Sequence, residues 1–496
     1  MTTVANRILK GGAFVFFAHV VQKGFTAIFI IIFSQLLSLQ LFGELMLAVT
    51  LMNLLALVSL FGLSSALQKY CSGEDDGSLN FHFKTILSLS LIAICSVSVL
   101  LWVFSGPLTR FFEPSESFRA LLGFAAAGII TQGVFRMLYE TLRAREDGKG
   151  YFVADNVLSI CKVTLPVAAF FAFGNPAAVV GGLALAHAVA ALPVISKLKK
   201  LGLTPHISSG INHATVGIIR FALPAWMAGF TYVFAQHVDK LMLGALTNAE
   251  VVGLYAVASA IAMMLTLFHT AFASIFMPIA ADLNRTGNRQ DLHQGYTWVS
   301  KWSLFTCGFG VLVFAGFGDY LLRLFGPEYA TPEVYGVLII LGLFYLATSA
   351  SGPTGSVLQM CGSNFWESIN AFAFLFLNIG ANLILIPLYG VRGAAMATLF
   401  AGLGRLLLQW GQLWHRHQLQ IVPLPLMGTT LVVAAFTILA SGAQMYSPAR
   451  ASLAIGGIFA LCFCQYCRMD AREREILRSL KKPGPDLFQL LKKKSL

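Results

Sequence analysis

Apolar stretches recur along the whole chain, and short polar segments separate them. Most are about twenty residues long, which is the length that a helix rising about 1.5 Å per residue needs to cross a hydrocarbon core about 30 Å thick. They are uniformly apolar, whereas the strands of a membrane β-barrel alternate between apolar and polar residues. The pattern predicts an all-α polytopic membrane protein with fourteen transmembrane spans, at residues 12–37, 41–67, 83–105, 118–141, 151–173, 177–196, 214–238, 249–275, 296–317, 334–357, 365–387, 391–414, 424–443 and 450–467.

The composition agrees with a membrane protein. Hydrophobic residues make up 57% of the 496 positions and charged residues 11%, whereas soluble domains are about 45–50% apolar and about 25% charged. No glycine-rich phosphate-binding loop is present, so the sequence predicts no ATP hydrolysis and no cofactor. Cys462, Cys464 and Cys467 end the last span without a nearby histidine, so we expect packing or palmitoylation there and no metal site.

The positive charge is placed asymmetrically. The net charge is +12, and most lysines and arginines outside the spans lie on the side of the N-terminus, in loops and in the basic tail at 468–496. The other side has Arg110, Lys240, Arg323, Arg392 and Arg450. Because short loops rich in lysine and arginine stay in the cytoplasm, we expect both termini there. This placement accounts for the charge without a nucleic-acid partner.

Two pairs of segments indicate an internal duplication. The segments LFGELMLAV and VVGLYAVAS align Gly43 with Gly253, and a second pair aligns Gly182 with Gly393 at nearly the same offset. Parallel repeats of six helices are typical of alternating-access transporters; the alternative is that the duplication only builds a scaffold. The predicted organisation is an N-terminal six-helix lobe at 1–205, a C-terminal six-helix lobe at 206–418, an additional helix pair at 419–467 and a basic cytoplasmic tail at 468–496.

Ionisable and amide side chains inside the spans are the candidates for a functional site. A charged residue costs roughly 2.5–3.5 kcal/mol at the bilayer centre, so it tends to face a cavity. The candidate substrate-binding residues, which would form a cationic cavity, are Lys23, Arg136, Lys162, Arg220 and Arg405. The candidates for coupling or for a polar cavity are Asp155, Asp239, Glu367 and Asn378.

Each charged candidate has a structural alternative. A carboxylate can neutralise a buried cation, as Asp155 would neutralise Lys162 one to two helical turns away. Arg220, Asp239 and Glu367 lie nearer the ends of their spans, where a charged side chain can act as an interfacial anchor. If the cations face a cavity, their surplus charge favours an anionic head group, because lysine and arginine bind phosphate oxygens through charge-assisted hydrogen bonds.

Two long segments match a known family pattern. They are VLQMCGSNFWESINAFAFLFLNIGANLILIPLYGVRGAAMATLFA, at residues 357–401, and DKLMLGALTNAEVVGLYAVASAIAMM, which begins at Asp239. Both resemble the polysaccharide transporters, or O-antigen flippases, of the multidrug/oligosaccharidyl-lipid/polysaccharide exporter superfamily. The resemblance implies fourteen helices in two bundles of six plus an added pair. It also implies a lipid-linked oligosaccharide as cargo, the bacterial inner membrane as location, and polysaccharide polymerase and ligase proteins as candidate partners.

The function expected from the sequence is a flippase for cell-surface polysaccharide synthesis, such as lipopolysaccharide or exopolysaccharide. It would move a lipid-pyrophosphate-linked oligosaccharide from the cytoplasmic to the outer leaflet by alternating access, with the lipid tail among the membrane lipids. The alternatives in the same superfamily are a cation-coupled multidrug exporter and a peptidoglycan-precursor flippase. A membrane glycan polymerase or ligase is disfavoured because charged groups are thinly spread on the predicted outer side. We therefore expect a transporter and not an enzyme.

Overall fold

The computed structural model describes residues 21–71, 76–112, 115–145, 147–200, 203, 213–417, 424–442 and 447–467. Every regular element within these ranges is a helix, which confirms the all-α prediction for them. The helices are α1 (Val21–Leu36), α2 (Leu39–Val58), α3 (Leu63–Tyr70), α4 (Asp76–Phe112), α5 (Glu116–Ala144), α6 (Gly148–Phe173), α7 (Pro176–Lys200), α8 (His213–Leu246), α9 (Ala249–Met263), α10 (Thr266–Arg285), α11 (Arg289–Arg323), α12 (Pro332–Ser351), α13 (Thr354–Met360), α14 (Asn364–Tyr389), α15 (Val391–Gln412), α16 (Leu424–Ser441) and α17 (Pro448–Cys467).

Ten helices in the described ranges are long and apolar enough to cross a membrane, and three shorter helices, among them α1, are also apolar. The chain is therefore a polytopic membrane protein. The count of fourteen spans stays a prediction, because part of the first span lies outside the described residues. The basic tail at 468–496 and the linker at 204–212 lie outside them as well.

Short turns reverse the chain between consecutive helices. Four of them carry the capping residue of α2, α5, α9 and α12, namely Ser38, Ser115, Asn248 and Thr331. The side-chain oxygen of each accepts a hydrogen bond from the backbone N–H three residues later, which satisfies a donor that the helix itself leaves free. We call this end of the bundle the Ser38 end, and the opposite end, where α3 finishes, the Tyr70 end.

Three of the predicted spans are not continuous helices, which corrects the sequence expectation for the second, eighth and tenth. The break between α2 and α3 contains Phe61 and Gly62, with φ angles of 44° and 72°, and the break between α12 and α13 contains Gly352, with φ of 68°. The third break separates α9 from α10 at Met264 and Leu265. Hydropathy does not detect such breaks, because the residues on both sides of them are apolar.

Two glycines lie where the first part of the chain crosses the second. We call α1–α7 the N-terminal half and α8–α15 the C-terminal half; α2 and α9 cross between them at the Ser38 end. A Cβ atom on Gly43 would collide with the carbonyl group of Ala249, and one on Gly253 would lie 3.1 Å from the carbonyl oxygen of Leu39. The sequence repeat aligns Gly43 with Gly253, so the crossing uses the same position of both repeats.

Polar and aromatic contacts also join the halves at the Ser38 end. Ser34 and Gln35 of α1 donate hydrogen bonds of 2.8 and 2.6 Å to backbone carbonyls that follow α11. The rings of Phe42 and Tyr329 meet edge to face with their centroids 5.9 Å apart. The Ser38 end is therefore closed between the halves.

The halves also meet along α3 and α8, nearer the Tyr70 end. Trp226 of α8 stacks on Phe61, with ring centroids 5.2 Å apart. Its indole Nε1 donates a hydrogen bond of 3.2 Å to the carbonyl oxygen of Val58, the last residue of α2. The same carbonyl oxygen accepts a hydrogen bond of 3.1 Å from the backbone N–H of Phe61 in the break, so α8 adds a second contact that supports the break between α2 and α3.

The C-terminal helix pair, α16 and α17, packs on α11 and α12 of the C-terminal half. Arg450 of α17 forms a buried salt bridge of 2.5 Å with Asp319 of α11. The guanidinium of Arg450 also lies 4.3 Å from the ring centroid of Tyr335. The pair is thus attached to the C-terminal half through an arginine that the sequence placed among the basic residues of the predicted outer side.

Candidate functional site

Lys23 lies where the two halves meet. Its Nζ atom donates hydrogen bonds to Thr266 Oγ1 at 2.7 Å and to the carbonyl oxygen of Met263 at 3.3 Å. Met263 ends α9 and Thr266 begins α10, so the lysine of α1 reaches across to the broken helix of the other half. Its hydrogen-bond partners in the described ranges are neutral oxygen atoms and not carboxylates.

Arg136 of α5 and Lys162 of α6 lie within electrostatic range of each other inside the N-terminal half. Lys162 interacts electrostatically with Arg136 and with Asp155, and His187 of α7 lies in range of the same lysine. Within the described part of the chain, neither Arg136 nor Lys162 forms a hydrogen bond or a salt bridge within 4 Å. Asp155 is therefore close enough to interact electrostatically with Lys162, but the two side chains do not form the salt bridge that was the structural alternative for Lys162.

A polar face of α5 continues from this pair. Gln132, Arg136 and Glu140 follow one another at four-residue intervals, which places them on one side of the helix. Gln132 donates a hydrogen bond of 3.0 Å to Asn53 of α2, and its own Oε1 is buried without a hydrogen-bond partner. Glu140 accepts a hydrogen bond of 2.7 Å from Gln68 of α3. The N-terminal half thus contains donors and acceptors of the kind that sugars and phosphates bind.

Two tyrosines beside this face were missed by the sequence reasoning. Tyr139 of α5 and Tyr151 of α6 stack with ring centroids 4.3 Å apart. A tyrosine inside an apolar run is usually a packing residue, so only the neighbouring helix shows that the two rings form a pair.

Arg220 is not brought together with the other candidates. It is exposed on α8 and shares its helix face with the exposed side chains of Val216, Leu223 and Met227. None of the described hydrogen bonds or salt bridges includes it. This environment agrees with the alternative role of an anchor near the end of a span.

Arg405 of α15 is paired with Glu367 of α14, through Nη2 and Oε1. Gln409 donates hydrogen bonds of 3.1 and 2.9 Å to the two carboxylate oxygens of Glu367, and Asn370 donates one of 3.2 Å. The sequence assigned Arg405 to a cationic cavity and Glu367 to coupling. The structure joins the two in one polar cluster, which is the neutralised arrangement that the sequence left open for a buried cation.

Asp239 lies at the centre of a buried network in the C-terminal half. Its carboxylate accepts hydrogen bonds from Tyr255 Oη at 2.7 Å, Thr398 Oγ1 at 2.5 Å and Asn382 Nδ2 at 2.9 Å. Asn378 accepts one of 2.8 Å from Asn382. These residues come from α8, α9, α14 and α15, so Asp239 is an interior residue and not the interfacial anchor that was one of its two predicted roles.

No group of three or more histidine, cysteine, aspartate or glutamate side chains that could hold a metal ion is found within the described ranges. Cys462, Cys464 and Cys467 are free thiols on α17. Apart from Arg220, the candidate residues therefore lie in four places: the Lys23 junction, the Arg136–Lys162 pair, the Glu367–Arg405 cluster and the Asp239 network.

The sequence is similar to a protein family and to two membrane proteins from other organisms. A family model described as "Polysaccharide biosynthesis protein" matches residues 8–284. An uncharacterized membrane protein of Methanocaldococcus jannaschii, MJ1375, is 23% identical over 417 residues, which cover 80% of this chain and 95% of that protein. The probable flippase AglR of Haloferax volcanii is 26% identical over 198 residues, which cover 39% of this chain and 41% of that protein.

Solved structures share the fold. The lipid II flippase MurJ in an inward closed conformation matches with a TM-score of 0.71 and 14% identity, over 92% of this chain and 98% of that one. A multidrug resistance MATE family transporter of the MOP superfamily, in an inward-facing conformation, matches with a TM-score of 0.66 and 16% identity, over 84% and 98%.

Proposed function

Because the chain belongs to the polysaccharide biosynthesis protein family, we propose that it carries a lipid-pyrophosphate-linked oligosaccharide from the cytoplasmic to the outer leaflet by alternating access. Its relatives are flippases and transporters. The chain is accordingly a transporter of the flippase type and not an enzyme. The substrate and the direction of transport are the proposal.

The observation that carries the proposal is the positive charge left without a close carboxylate. Lys23 at the junction, and Arg136 and Lys162 inside the N-terminal half, form no salt bridge within 4 Å among the described residues. An unneutralised charge is costly in an apolar environment, and the cost is offset when an anion binds. A pyrophosphate offers several oxygens that lysine and arginine bind through charge-assisted hydrogen bonds.

The transport step requires only binding and a change in the contact between the halves. Entry of substrate from the Tyr70 end would separate the contacts of α3 with α8, such as that of Lys69 with the ring of Phe221, while the contacts at the Ser38 end stay closed. The lipid tail would remain among membrane lipids. If the Ser38 end faces outward, an anion moving to it follows an interior-negative potential, which contributes about 2.3 kcal/mol per charge per 100 mV. The basic loops support this orientation, with both termini in the cytoplasm. The bacterial inner membrane is the location that the family resemblance implies.

The wider assignment follows from the same proposal. The lobes at 1–205 and 206–418 would move against each other, with the helix pair at 419–467 following the second lobe and the tail at 468–496 staying in the cytoplasm. The glycan would supply lipopolysaccharide or exopolysaccharide synthesis, where polymerase and ligase proteins would act on it after transport.

The role of the cations can be tested in proteoliposomes whose membrane contains a lipid-linked oligosaccharide, by measuring the rate at which this lipid moves from one leaflet to the other. We expect Lys23→Ala and Lys162→Ala each to lower the initial rate by about tenfold or more, because a hydrogen bond to a charged group contributes roughly 1.5–3 kcal/mol. Lys149→Ala, which removes an exposed lysine at the start of α6, should leave the rate unchanged. Wild-type rates in both Lys23→Ala and Lys162→Ala would refute the proposal. If the wild-type protein transports a peptidoglycan precursor faster than the lipid-linked oligosaccharide, the protein is a peptidoglycan-precursor flippase instead.

A cation-coupled drug exporter is the second candidate, and the Asp239 network favours it. A buried carboxylate with amide and hydroxyl neighbours is a suitable site for an exchanged proton or monovalent cation, and Asn382 Oδ1 lies beside it, buried without a hydrogen-bond partner. Under this candidate, Asp239→Asn should abolish drug efflux that depends on a cation gradient. Drug sensitivity that does not change when the gene is deleted would exclude it.

A further inference from the structure

Arg405 faces the interior of the C-terminal half, on the opposite side of α15 from the lipid. The exposed side chains of Phe400, Leu403 and Leu407 mark the outer face of the helix. Thr398, Arg405 and Gln409 follow at intervals of seven and four residues and lie on the other face. The solvent-accessible part of the Arg405 side chain, 24% of it, therefore opens toward interior space.

The guanidinium of Arg405 has hydrogen-bonding capacity that the structure does not use. An arginine carries five N–H donors, and the hydrogen bond of Arg405 within the described ranges is the one from Nη2 to Glu367. Its Nε is buried without a hydrogen-bond partner. The side chain is thus held by one carboxylate while further donors remain for a second anion.

Glu367 is fixed from the other side and does not depend on Arg405 for its position. Besides Gln409 and Asn370, which donate to its oxygens, α13 covers it, because a Cβ atom on Gly355 would lie 2.8 Å from its Oε1. Asn370 is itself held by two reciprocal hydrogen bonds of 2.7 and 2.8 Å with Gln412. The side chain of Glu367 is only 8% accessible. Arg405 can therefore turn away without leaving the carboxylate free of hydrogen bonds.

We infer that Glu367 is an internal competitor that occupies Arg405 until a phosphate-type anion takes its place. This inference rests on the proposed function, since it assigns a positioning role to Glu367 in the binding of the pyrophosphate head group. Glu367 holds the guanidinium in the empty protein and lowers its affinity for the anion, because the anion must displace a carboxylate of the same charge. Release then follows more readily at the end of transport, since the carboxylate remains in place to recapture the arginine.

The distinguishing expectation is a gain of affinity. Glu367→Gln keeps the shape of the side chain and removes its charge, which leaves Arg405 with an uncompensated charge in a buried site. We expect the dissociation constant for the anion to fall by about three- to tenfold. Arg405→Ala should weaken binding, and the double variant Glu367→Gln with Arg405→Ala should bind no more tightly than Arg405→Ala alone. A purely structural role of Glu367 would give weaker binding in every variant.

The experiment is calorimetric titration of the purified full chain with inorganic pyrophosphate and with farnesyl pyrophosphate. Glu44→Gln is the matched control, because Glu44 is a fully buried carboxylate near the Ser38 end that accepts hydrogen bonds of 2.9 and 2.6 Å from Ser115 and Ser117. Glu44→Gln removes the same charge at a position far from Arg405 in the sequence, so it should not increase the affinity for pyrophosphate. Thermal unfolding of each variant checks folding. If Glu367→Gln does not fold, Glu367→Asp takes its place in the experiment. This variant keeps the charge but shortens the side chain, so it should give a smaller gain in affinity.

The two probes separate this inference from the proposed function. Tighter binding of both probes by Glu367→Gln supports the inference. Tighter binding of inorganic pyrophosphate alone supports the competitor role but contradicts a lipid-linked substrate. Wild-type binding of either probe with no gain in Glu367→Gln or Glu367→Asp overturns the competitor role and leaves the proposed function standing. No binding of either probe by any variant overturns both.

Discussion

Among the residues that the structure describes, Arg405 and Arg450 are each paired with a carboxylate in the interior, and the two pairs are built differently. Arg450 and Asp319 are 3% and 2% exposed, and the aromatic ring of Tyr335 covers the guanidinium. Both guanidinium groups have a buried Nε without a hydrogen-bond partner, but the side chain of Arg405 is 24% accessible, although Glu367 beside it is sealed. A closed pair fixes two helices together, whereas an open pair can exchange partners.

The closed pair gives a prediction about stability. Arg450→Leu should lower the free energy of unfolding by about 3–5 kcal/mol, because it leaves the carboxylate of Asp319 buried and uncompensated. The double variant Asp319→Leu with Arg450→Leu should regain most of this loss. Chemical unfolding of the purified protein in detergent would measure both variants. A double variant as unstable as the single one would show that packing, and not charge, is what Arg450 contributes.

At the scale of the helices, the crossing of α2 and α9 depends on two glycines. The backbones approach so closely at Gly43 that no side chain fits against Ala249, and Gly253 allows the corresponding approach to Leu39. Small residues permit close helix packing in a membrane, where no hydrophobic force drives helices together. The closed Ser38 end therefore depends on these positions.

The crossing gives a prediction about conformation. Gly43→Leu should destabilise the closed Ser38 end by about 1–3 kcal/mol through overpacking, and so raise the fraction of molecules open at that end. Spin labels on the Ser38-end turns of the two halves would report this as longer distances. Gly106→Leu is the control, because a side chain on Gly106 of α4 meets no atom within 4 Å. Unchanged distances in Gly43→Leu would mean that the crossing does not hold the end closed.

At the scale of the whole molecule, contacts between the halves lie at several levels. Gln35, Phe42 and Tyr329 join them at the Ser38 end. Trp226 joins them along α3 and α8, and Lys23 joins α1 to α9 and α10. A change of access must break one set of these contacts and keep another, so transport should stop when the Ser38 end cannot separate.

This gives a prediction about cross-linking. In a variant without native cysteines, Phe42→Cys and Tyr329→Cys should be joined by a short reducible bifunctional reagent, because the two rings they replace are in contact. Transport in proteoliposomes should be lost and should return on reduction. The single-cysteine variants treated in the same way should keep their activity. Full transport in the cross-linked protein would exclude an alternating opening of this end.

The sequence located the helices and much of the chemistry of the site. Asp239, Asn378 and Thr398 all lie within the segments that carry the family resemblance, and the structure brings them into one network. The sequence did not reveal that Arg405 would pair with Glu367, 38 positions away. Hydropathy counts a charge but contains no information about which charge a neighbouring helix brings to it.

By itself, the sequence determined that this is a helical membrane protein, because the length and apolarity of each span are local properties that the bilayer reads directly. It also determined the glycine register of the repeat, which reappears at the crossing of α2 and α9. Tertiary structure alone decided where spans break, which cations remain without a close carboxylate, and which are neutralised. These outcomes depend on contacts between residues far apart in the chain, and in a low-dielectric interior such contacts decide whether a charge is a structural pair or is available to a ligand.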